Sequence, residues 1–356
     1  MDELSDIVKP LLTWFEQNKR TLPWREDTAP YRVWVSEIML QQTRVEAVKP
    51  YFERFMKALP QIDDLAYVDE EQLLKLWEGL GYYNRARNLQ KAAIHLVEEY
   101  DGKMPADYEK LLSLPGIGSY TAGAVASISF QLCEPAVDGN VLRVFSRLTM
   151  NGEDILSQKV KLYWEDVIRE LMPPERPGDF NQAVMELGAT VCVPNGTPHC
   201  TECPVRSFCK AHINGREMEF PYKKPKKKRR IEKKTIMIIR EGDKVVIRKR
   251  SNKGLLAGMY EFPSMEGHVG KTEVVRQLEK IGYKVLRIRE LEEGKHIFSH
   301  VEWHMIGYEI KVQEGDFERQ SLDEKQGHIL VDAEETKDAY PIPAAFRLYH
   351  MSAFGK

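Results

Sequence analysis

Leu114-Pro115-Gly116-Ile117-Gly118-Ser119-Tyr120-Thr121-Ala122 lies between two apolar-periodic runs. Pro115-Gly116 ends one helical run and Gly118 precedes the next. Two glycines in a tight turn that opens a helix present backbone N–H groups outward. Those groups, with the helix dipole, suit a phosphate, which makes Gly116 and Gly118 candidate contacts. A plain helix–helix turn has the same local pattern, and the stretch alone leaves the two readings level. Outward from it the chain stays helical. Leu4, Ile7, Val8, Leu11, Trp14 and Phe15 recur at helical spacing, and further runs fall near 30–58, 71–79, 85–99, 117–131, 139–149, 159–172 and 180–191. Breakers separate them at Gly79 to Gly81, Asp101-Gly102, Pro173-Pro174 and Pro177-Gly178.

Beyond this half the texture changes. Thr235 to Arg240 and Val245 to Lys249 are β-branched runs joined by Glu241-Gly242-Asp243, a hairpin signal. Lys271 to Ile281 reads as a helix, and His304 to Val312 and Gly327 to Val331 as strands. The expected organisation of the 356 residues is a helical domain over 1–221, a basic linker over 222–234 and an α+β domain over 235–356. The net charge of −2 hides an asymmetry: Lys223 to Lys234 holds nine basic residues and one acid, and the remainder carries −10. Such a block reads as a solvated linker or as a phosphate contact, and the two are compatible. With 42% hydrophobic and 30% charged residues the chain is globular rather than disordered. No apolar run approaches the roughly 18 to 20 residues of a membrane span. The acidic start lacks the basic, then apolar, opening of a signal peptide, so a cytoplasmic protein without a membrane partner is expected.

Two constellations carry chemistry. Cys192, Cys200, Cys203 and Cys209 are spaced C-x7-C-x2-C-x5-C. Reduced thiols clustered this way favour metal over disulfides. Four thiolates hold either a tetrahedral zinc or a [4Fe–4S] cluster; one close pair with single cysteines on either side suits a cubane better than the two close pairs of a zinc ribbon. His199 beside a ligand reads as exposed or as support, and the lone Cys133 as a small buried hydrophobe. The second constellation is a pair of acids in contrasting settings. Glu37 sits in the apolar run Val33-Trp34-Val35-Ser36-Glu37-Ile38-Met39-Leu40, where lost hydration should raise its pKa and fit it to donate a proton. Asp138, in Val137-Asp138-Gly139-Asn140-Val141, precedes a helix, where an N-cap is the usual role. A proton-donating acid plus a carboxylate anion is also the apparatus for cleaving a glycosidic bond through an oxocarbenium-like state.

Together the motifs resemble a known family. LPWR (Leu22–Arg25), VSEIMLQQTRV (Val35–Val45), WEGLGYYNRARNL (Trp77–Leu89), LPGIGSYTAGA (Leu114–Ala124), VDGNVLRV (Val137–Val144) and the cysteine loop match in order and spacing the A/G-specific adenine DNA glycosylases, the MutY family of the helix-hairpin-helix DNA glycosylase superfamily. GLLAGMYEFP (Gly254–Pro263) and HIFSH (His296–His300) extend the likeness past the linker. The resemblance implies an all-helical glycosylase domain with its hairpin at about 111–131 and an iron–sulfur loop at 192–209, followed by a Nudix-like domain. It implies a monomeric, nucleoid-associated bacterial enzyme of base excision repair acting on double-stranded DNA with adenine opposite 8-oxoguanine or guanine, with the adenine flipped out of the stack.

Carried over residue by residue, Glu37 would protonate the leaving adenine and Asp138 would stabilise the sugar cation, with or without a transient covalent bond; Tyr120 and Asn140 would support them. Trp24, Arg25, Leu40, Val45 and Gln182 would line the adenine pocket, although Trp24, Leu40 and Val45 also read as helix core. Gln42, Thr43 and Tyr82 would wedge the stack around 8-oxoguanine, and Phe298, Ser299 and His300, with His296 nearby, would recognise it. The related bifunctional endonuclease III-like glycosylases for oxidised pyrimidines carry a lysine where this chain has Tyr120. An aromatic hydroxyl cannot form their Schiff base, so hydrolysis alone is expected. In the second domain GHVGKTEVVRQLEKIGYKV keeps Arg276 but not the acid cluster of a Nudix hydrolase, so pyrophosphatase activity is not expected. One departure stands out: the first cysteine gap is one residue longer than the family's, at the turn dipeptide Asn195-Gly196.

Overall fold

The computed structural model describes residues 2–225, 228–251, 253–319 and 327–355. Contacts divide the chain into two compact units, residues 1–67 with 87–225 and residues 68–86 with 226–356.

The first unit is helical. The apolar run near 30–58 becomes two helices, Pro30–Leu40 and Val45–Ala58. The first begins with proline at its first turn, where the missing N–H costs nothing. The other runs of this unit form helices Val8–Asn18, Asn84–Tyr100, Ser119–Phe130, Gly139–Thr149, Gln158–Leu171 and Pro177–Thr190, and a further short helix, Tyr108–Ser113, was not among the expected runs. One core joins the helices at the two ends of the unit: Leu11 and Phe15 pack with Phe145, Trp164, Phe180 and Leu187. Each such side chain contributes roughly 1.5–3 kcal/mol by leaving water. Ser119–Phe130 is the central helix, with every residue from Thr121 to Ile128 buried. It packs against both Pro30–Leu40 and Pro177–Thr190, and those two contacts position the site.

The second unit is a seven-stranded mixed sheet with helices on both faces. Its strands are β1 (Arg230–Glu241), β2 (Lys244–Lys249), β3 (Tyr260–Glu261), β4 (Ser264–Glu266), β5 (Val285–Ile297), β6 (Val301–Val312) and β7 (His328–Val331). The order is β3-β2-β1-β6-β5; β4 pairs with β1 and β7 with β2. β1 and β6 run parallel, in register from Arg230 opposite Val301 to Arg240 opposite Lys311. The end of the basic stretch, Arg230 to Lys234, therefore lies on a strand. Alternation sends Ile236, Ile238, Trp303 and Met305 to one face with Phe346 and Tyr349, and Met237, Ile239, Tyr308 and Ile310 to the other with Val274 and Leu278. Residues 68–86 join this unit through Lys75 Nζ, which donates to the Thr336 carbonyl (2.9 Å), and Glu78, which accepts from the Ile342 N–H (2.8 Å). Among the described residues no helix is long and apolar enough to cross a membrane.

Candidate active site

A cavity of about 460 Å³ opens in the helical unit, within the usual size of a small-ligand pocket. Glu37, Tyr120, Asp138 and Asn140 all line it, as do Trp24, Arg25, Leu40, Val45 and Gln182 and the pair Gln42 and Thr43.

Glu37 sits on the inner face of Pro30–Leu40 and is only 6% exposed. Burial pushes its carboxyl up to about 7, against the pull of a hydrogen bond from the Tyr120 hydroxyl. Tyr120 occupies the first turn of the central helix, and its hydroxyl also lies 3.3 Å from Met185 Sδ. Burial and the neighbouring Glu37 carboxyl hold the phenol far above its ordinary range, so it stays a donor. Asp138 is the N-cap of Gly139–Thr149: Oδ1 accepts from the backbone N–H groups of Asn140 and Val141, both at 2.8 Å. The N-cap and the cavity-lining carboxylate are thus one residue. Its Oδ2 accepts from Asn140 Nδ2 at 2.7 Å. Burial raises the Asp138 pKa, and these three hydrogen bonds and Arg143 oppose that rise by favouring the anion. Arg143 also fixes which way Asn140 faces. A guanidinium can only donate, and its Nη2 lies 2.8 Å from Asn140 Oδ1, so the amide N–H must turn to Asp138.

Glu186, Arg20 and Met185 are among the lining groups the sequence alone did not mark. Glu186, 1% exposed, takes Arg20 Nε at 2.6 Å and Arg25 Nη2 at 2.8 Å. Burial raises its pKa, but the two guanidiniums win and hold it below the ordinary range. Arg25 in turn donates Nε to Gln182 Oε1 at 3.1 Å, which anchors both predicted pocket residues. Glu186 stands in Ala183-Val184-Met185-Glu186-Leu187, an acid in an apolar run, the same signal that marked Glu37. Arg20 and Met185 carried no such signal.

At the hairpin, Gly116 has φ +77° and packs so tightly that a Cβ would fall 2.5 Å from Asn88 Cβ. Gly118 is the N-cap of Ser119–Phe130 and leaves its first N–H groups without a side-chain cap. The expected wedge and recognition residues of the second unit also come together. The Tyr82 and Ser299 hydroxyls lie 3.2 Å apart. Phe298 stacks edge-on between His296 (4.6 Å) and Trp303 (4.8 Å), and His300 is exposed. Gln42 and Tyr82 both have left-handed backbone, φ +58° and +49°, uncommon for residues with a Cβ.

Cys192, Cys200, Cys203 and Cys209 line one small cavity. Two 3₁₀ turns, Cys200–Glu202 and Arg206–Phe208, wrap the last three, and Gly196 (φ +76°) makes the turn in the long first gap. Arg147 Nη1 points at Cys192 Sγ (3.2 Å), and Arg143 Nε donates to the Cys192 carbonyl (2.8 Å). Burial pushes Cys200 up to about 11 and Cys203 to about 12, so these thiols would ionise only with a metal's charge beside them. Four soft donors and an N–H aimed at sulfur fit a thiolate-held iron or zinc centre. His212 and Glu217 stand beside Cys200 as a further group able to hold a metal.

Comparison with known proteins agrees with the fold and site. Residues 35–170 match the family described as HhH-GPD superfamily base excision DNA repair protein, and residues 235–351 match the NUDIX domain. A solved structure of a trapped endonuclease III–DNA covalent intermediate shares 25% identity at a TM-score of 0.52, covering 60% of this chain and 97% of that one. Fold and site thus define a helix-hairpin-helix base excision repair protein with a NUDIX-like second domain. The adenine DNA glycosylase of Mus musculus is 39% identical over 82% of this chain and 68% of its own length. That of Buchnera aphidicola subsp. Baizongia pistaciae (strain Bp) is 36% identical over 83% of each. The chain belongs to the adenine DNA glycosylase family.

Proposed function

We propose that this protein is a monofunctional, monomeric DNA glycosylase that hydrolyses the bond between deoxyribose and adenine where adenine stands opposite 8-oxoguanine or guanine in duplex DNA. One observation carries the reading: a sheltered Glu37, its pKa raised to about 7, and a hydrogen-bonded Asp138 line one cavity. Adenine leaves poorly as an anion. Glu37, which still holds its proton in a good share of molecules near pH 7, donates it to the flipped base, and the Tyr120 hydroxyl orients the acid. The sugar left behind is cationic, and the Asp138 carboxylate, locked by Asn140 and two backbone N–H groups, sits to stabilise it. Arg25, Gln182 and the Glu186 network give the cavity the polar groups that orient a base. Among the described residues lining the cavity there is no lysine to form a Schiff base, which supports hydrolysis without strand cleavage.

Gly116 and Gly118 would meet the DNA phosphate, Gln42, Thr43 and Tyr82 the stack, and Phe298, Ser299 and His300 the oxidised base. The two units would then divide the work, the helical one excising adenine and the sheet unit inspecting the opposite base. The cysteine loop would hold a [4Fe–4S] cluster through Cys192, Cys200, Cys203 and Cys209. It supplies no step of hydrolysis and serves to shape and anchor the loop. We place the protein in the bacterial cytoplasm at the nucleoid, where its substrate is.

The test is adenine release from duplexes with A opposite 8-oxoguanine, guanine or thymine, with and without alkali. Release from the first two, with strand breaks only after alkali, is expected; breaks trapped by borohydride without alkali overturn the monofunctional reading. Asp138→Asn should abolish release while leaving duplex binding intact, and retained turnover would remove the role given to Asp138.

A further inference from the structure

The turn from Gly79 to Tyr82 has an unusual backbone. Gly79 (φ +101°), Gly81 (φ +70°) and Tyr82 (φ +49°) are all left-handed, and for tyrosine that state persists only where the surroundings impose it. Arg85 provides those surroundings. Its Nη2 donates to the carbonyls of Leu80 and Gly81, both at 3.1 Å. Its guanidinium carbon lies 5.4 Å from the centre of the Trp77 ring and 5.5 Å from that of Tyr82. The Trp77 indole N–H donates to the same Gly81 carbonyl at 3.1 Å, and the Gly79 N–H meets the Tyr83 hydroxyl at 3.4 Å. The Tyr82 ring, 46% exposed, is left facing outward with its hydroxyl beside Ser299.

We propose that Arg85 is a positioning residue for Tyr82: its Nη2, bridging two carbonyls of the turn, and its flat face hold the 79–82 turn left-handed, and by fixing that ring they set the preference for the base opposite adenine. This rests on the reading of Tyr82 as a residue that enters the DNA stack beside that base. Lysine keeps the charge but is a point donor without fork or face, so Arg85→Lys separates geometry from electrostatics. Arg85 is not among the residues that line the cavity, so the chemical step is expected to keep its wild-type rate.

The experiment uses the full chain and duplexes with A opposite 8-oxoguanine or guanine. In Arg85→Lys the single-turnover rate at saturating enzyme on the 8-oxoguanine duplex stays at the wild-type value. The ratio of dissociation constants between the two duplexes falls about tenfold, the worth of one lost charged hydrogen bond. Gly81→Ala is a second route that does not touch Arg85. A Cβ there meets nothing within 4 Å, so the substitution acts only on the left-handed backbone and should lower the ratio in the same direction. In a Tyr82→Ala background Arg85→Lys should add nothing further. The proposal falls if Arg85→Lys or Gly81→Ala folds with the wild-type ratio, or if the effect of Arg85→Lys survives in full without the Tyr82 ring. If Tyr82→Ala alone leaves the ratio unchanged while Arg85→Lys lowers it, the premise about Tyr82 is what fails, and the proposal falls with it.

Discussion

Glu37 couples activity and stability through one proton. Its ordinary value is 4.5 and burial raises it to about 7, so between those values the folded chain holds a proton that the unfolded chain releases. Stability from this group is complete below about 4.5 and is lost as pH rises through 7, on the order of 3 kcal/mol across the window. Glu37→Gln stays neutral and escapes the loss. It should match the wild type near pH 4 and melt at a higher temperature at pH 8, while adenine release drops by at least about 10²-fold. Thermal unfolding at both pH values, beside a single-turnover assay, checks the pair; a variant less stable than wild type at pH 8 contradicts the buried-acid account. The same group sets the pH profile. With protonated Glu37 as the acid and ionised Asp138 as its partner, the wild-type rate should fall about tenfold per unit above pH 7 and fall again in acid as Asp138 takes up a proton. A rate that climbs through pH 8 would assign the proton elsewhere.

At the scale of elements, the two hairpin glycines do different work. Gly116 is left-handed and packed on Asn88, so Gly116→Ala should cost about 1–3 kcal/mol and lower the melting temperature. Gly118 has φ −100° with open space where a Cβ would stand, so Gly118→Ala should leave stability within about 0.5 kcal/mol. If that open space belongs to a phosphate, the same variant weakens duplex binding without moving the melting temperature; unchanged binding reduces Gly118 to a turn residue. Strand β5 shows where element reading runs out. Val285–Ile297 is the longest strand among the described residues, yet VLRIRELEEGKHI carries so many charges that no apolar alternation shows. It is an edge strand, and charge there deters pairing with other chains. The last helix, Arg347–Phe354, was equally faint, because only Tyr349 and Ala353 are fully buried, with Leu348 and Phe354 partly so.

Across the whole molecule, the cysteine loop is tied to the helical core, since Cys209 belongs to that core and Cys192 and Cys203 pack against it. Losing the metal should therefore loosen the unit. Freshly purified protein should be brown, with iron and sulfide bound. Cys203→Ser should bleach it and lower the melting temperature of the helical unit by several degrees. Colourless protein with bound zinc would replace the cluster with the other thiolate centre. The membership of residues 68–86 also emerges only at this scale: they follow helical sequence yet join the sheet-containing unit through Glu71, Lys75 and Glu78.

Local chemistry was written plainly in the chain. An acid in an apolar run, an aspartate before a helix, a Gly-x-Gly turn and four spaced cysteines each need only their neighbours in sequence, because desolvation, capping, turn geometry and thiolate ligation act over a few residues. What folding alone settled acts over long separations. Glu186 meets Arg20 166 residues away and Arg25 161 residues away, and Tyr120 reaches Glu37 83 residues away. Burial of a charge depends on every chain segment that covers it, and that sum exists only once the helices have packed.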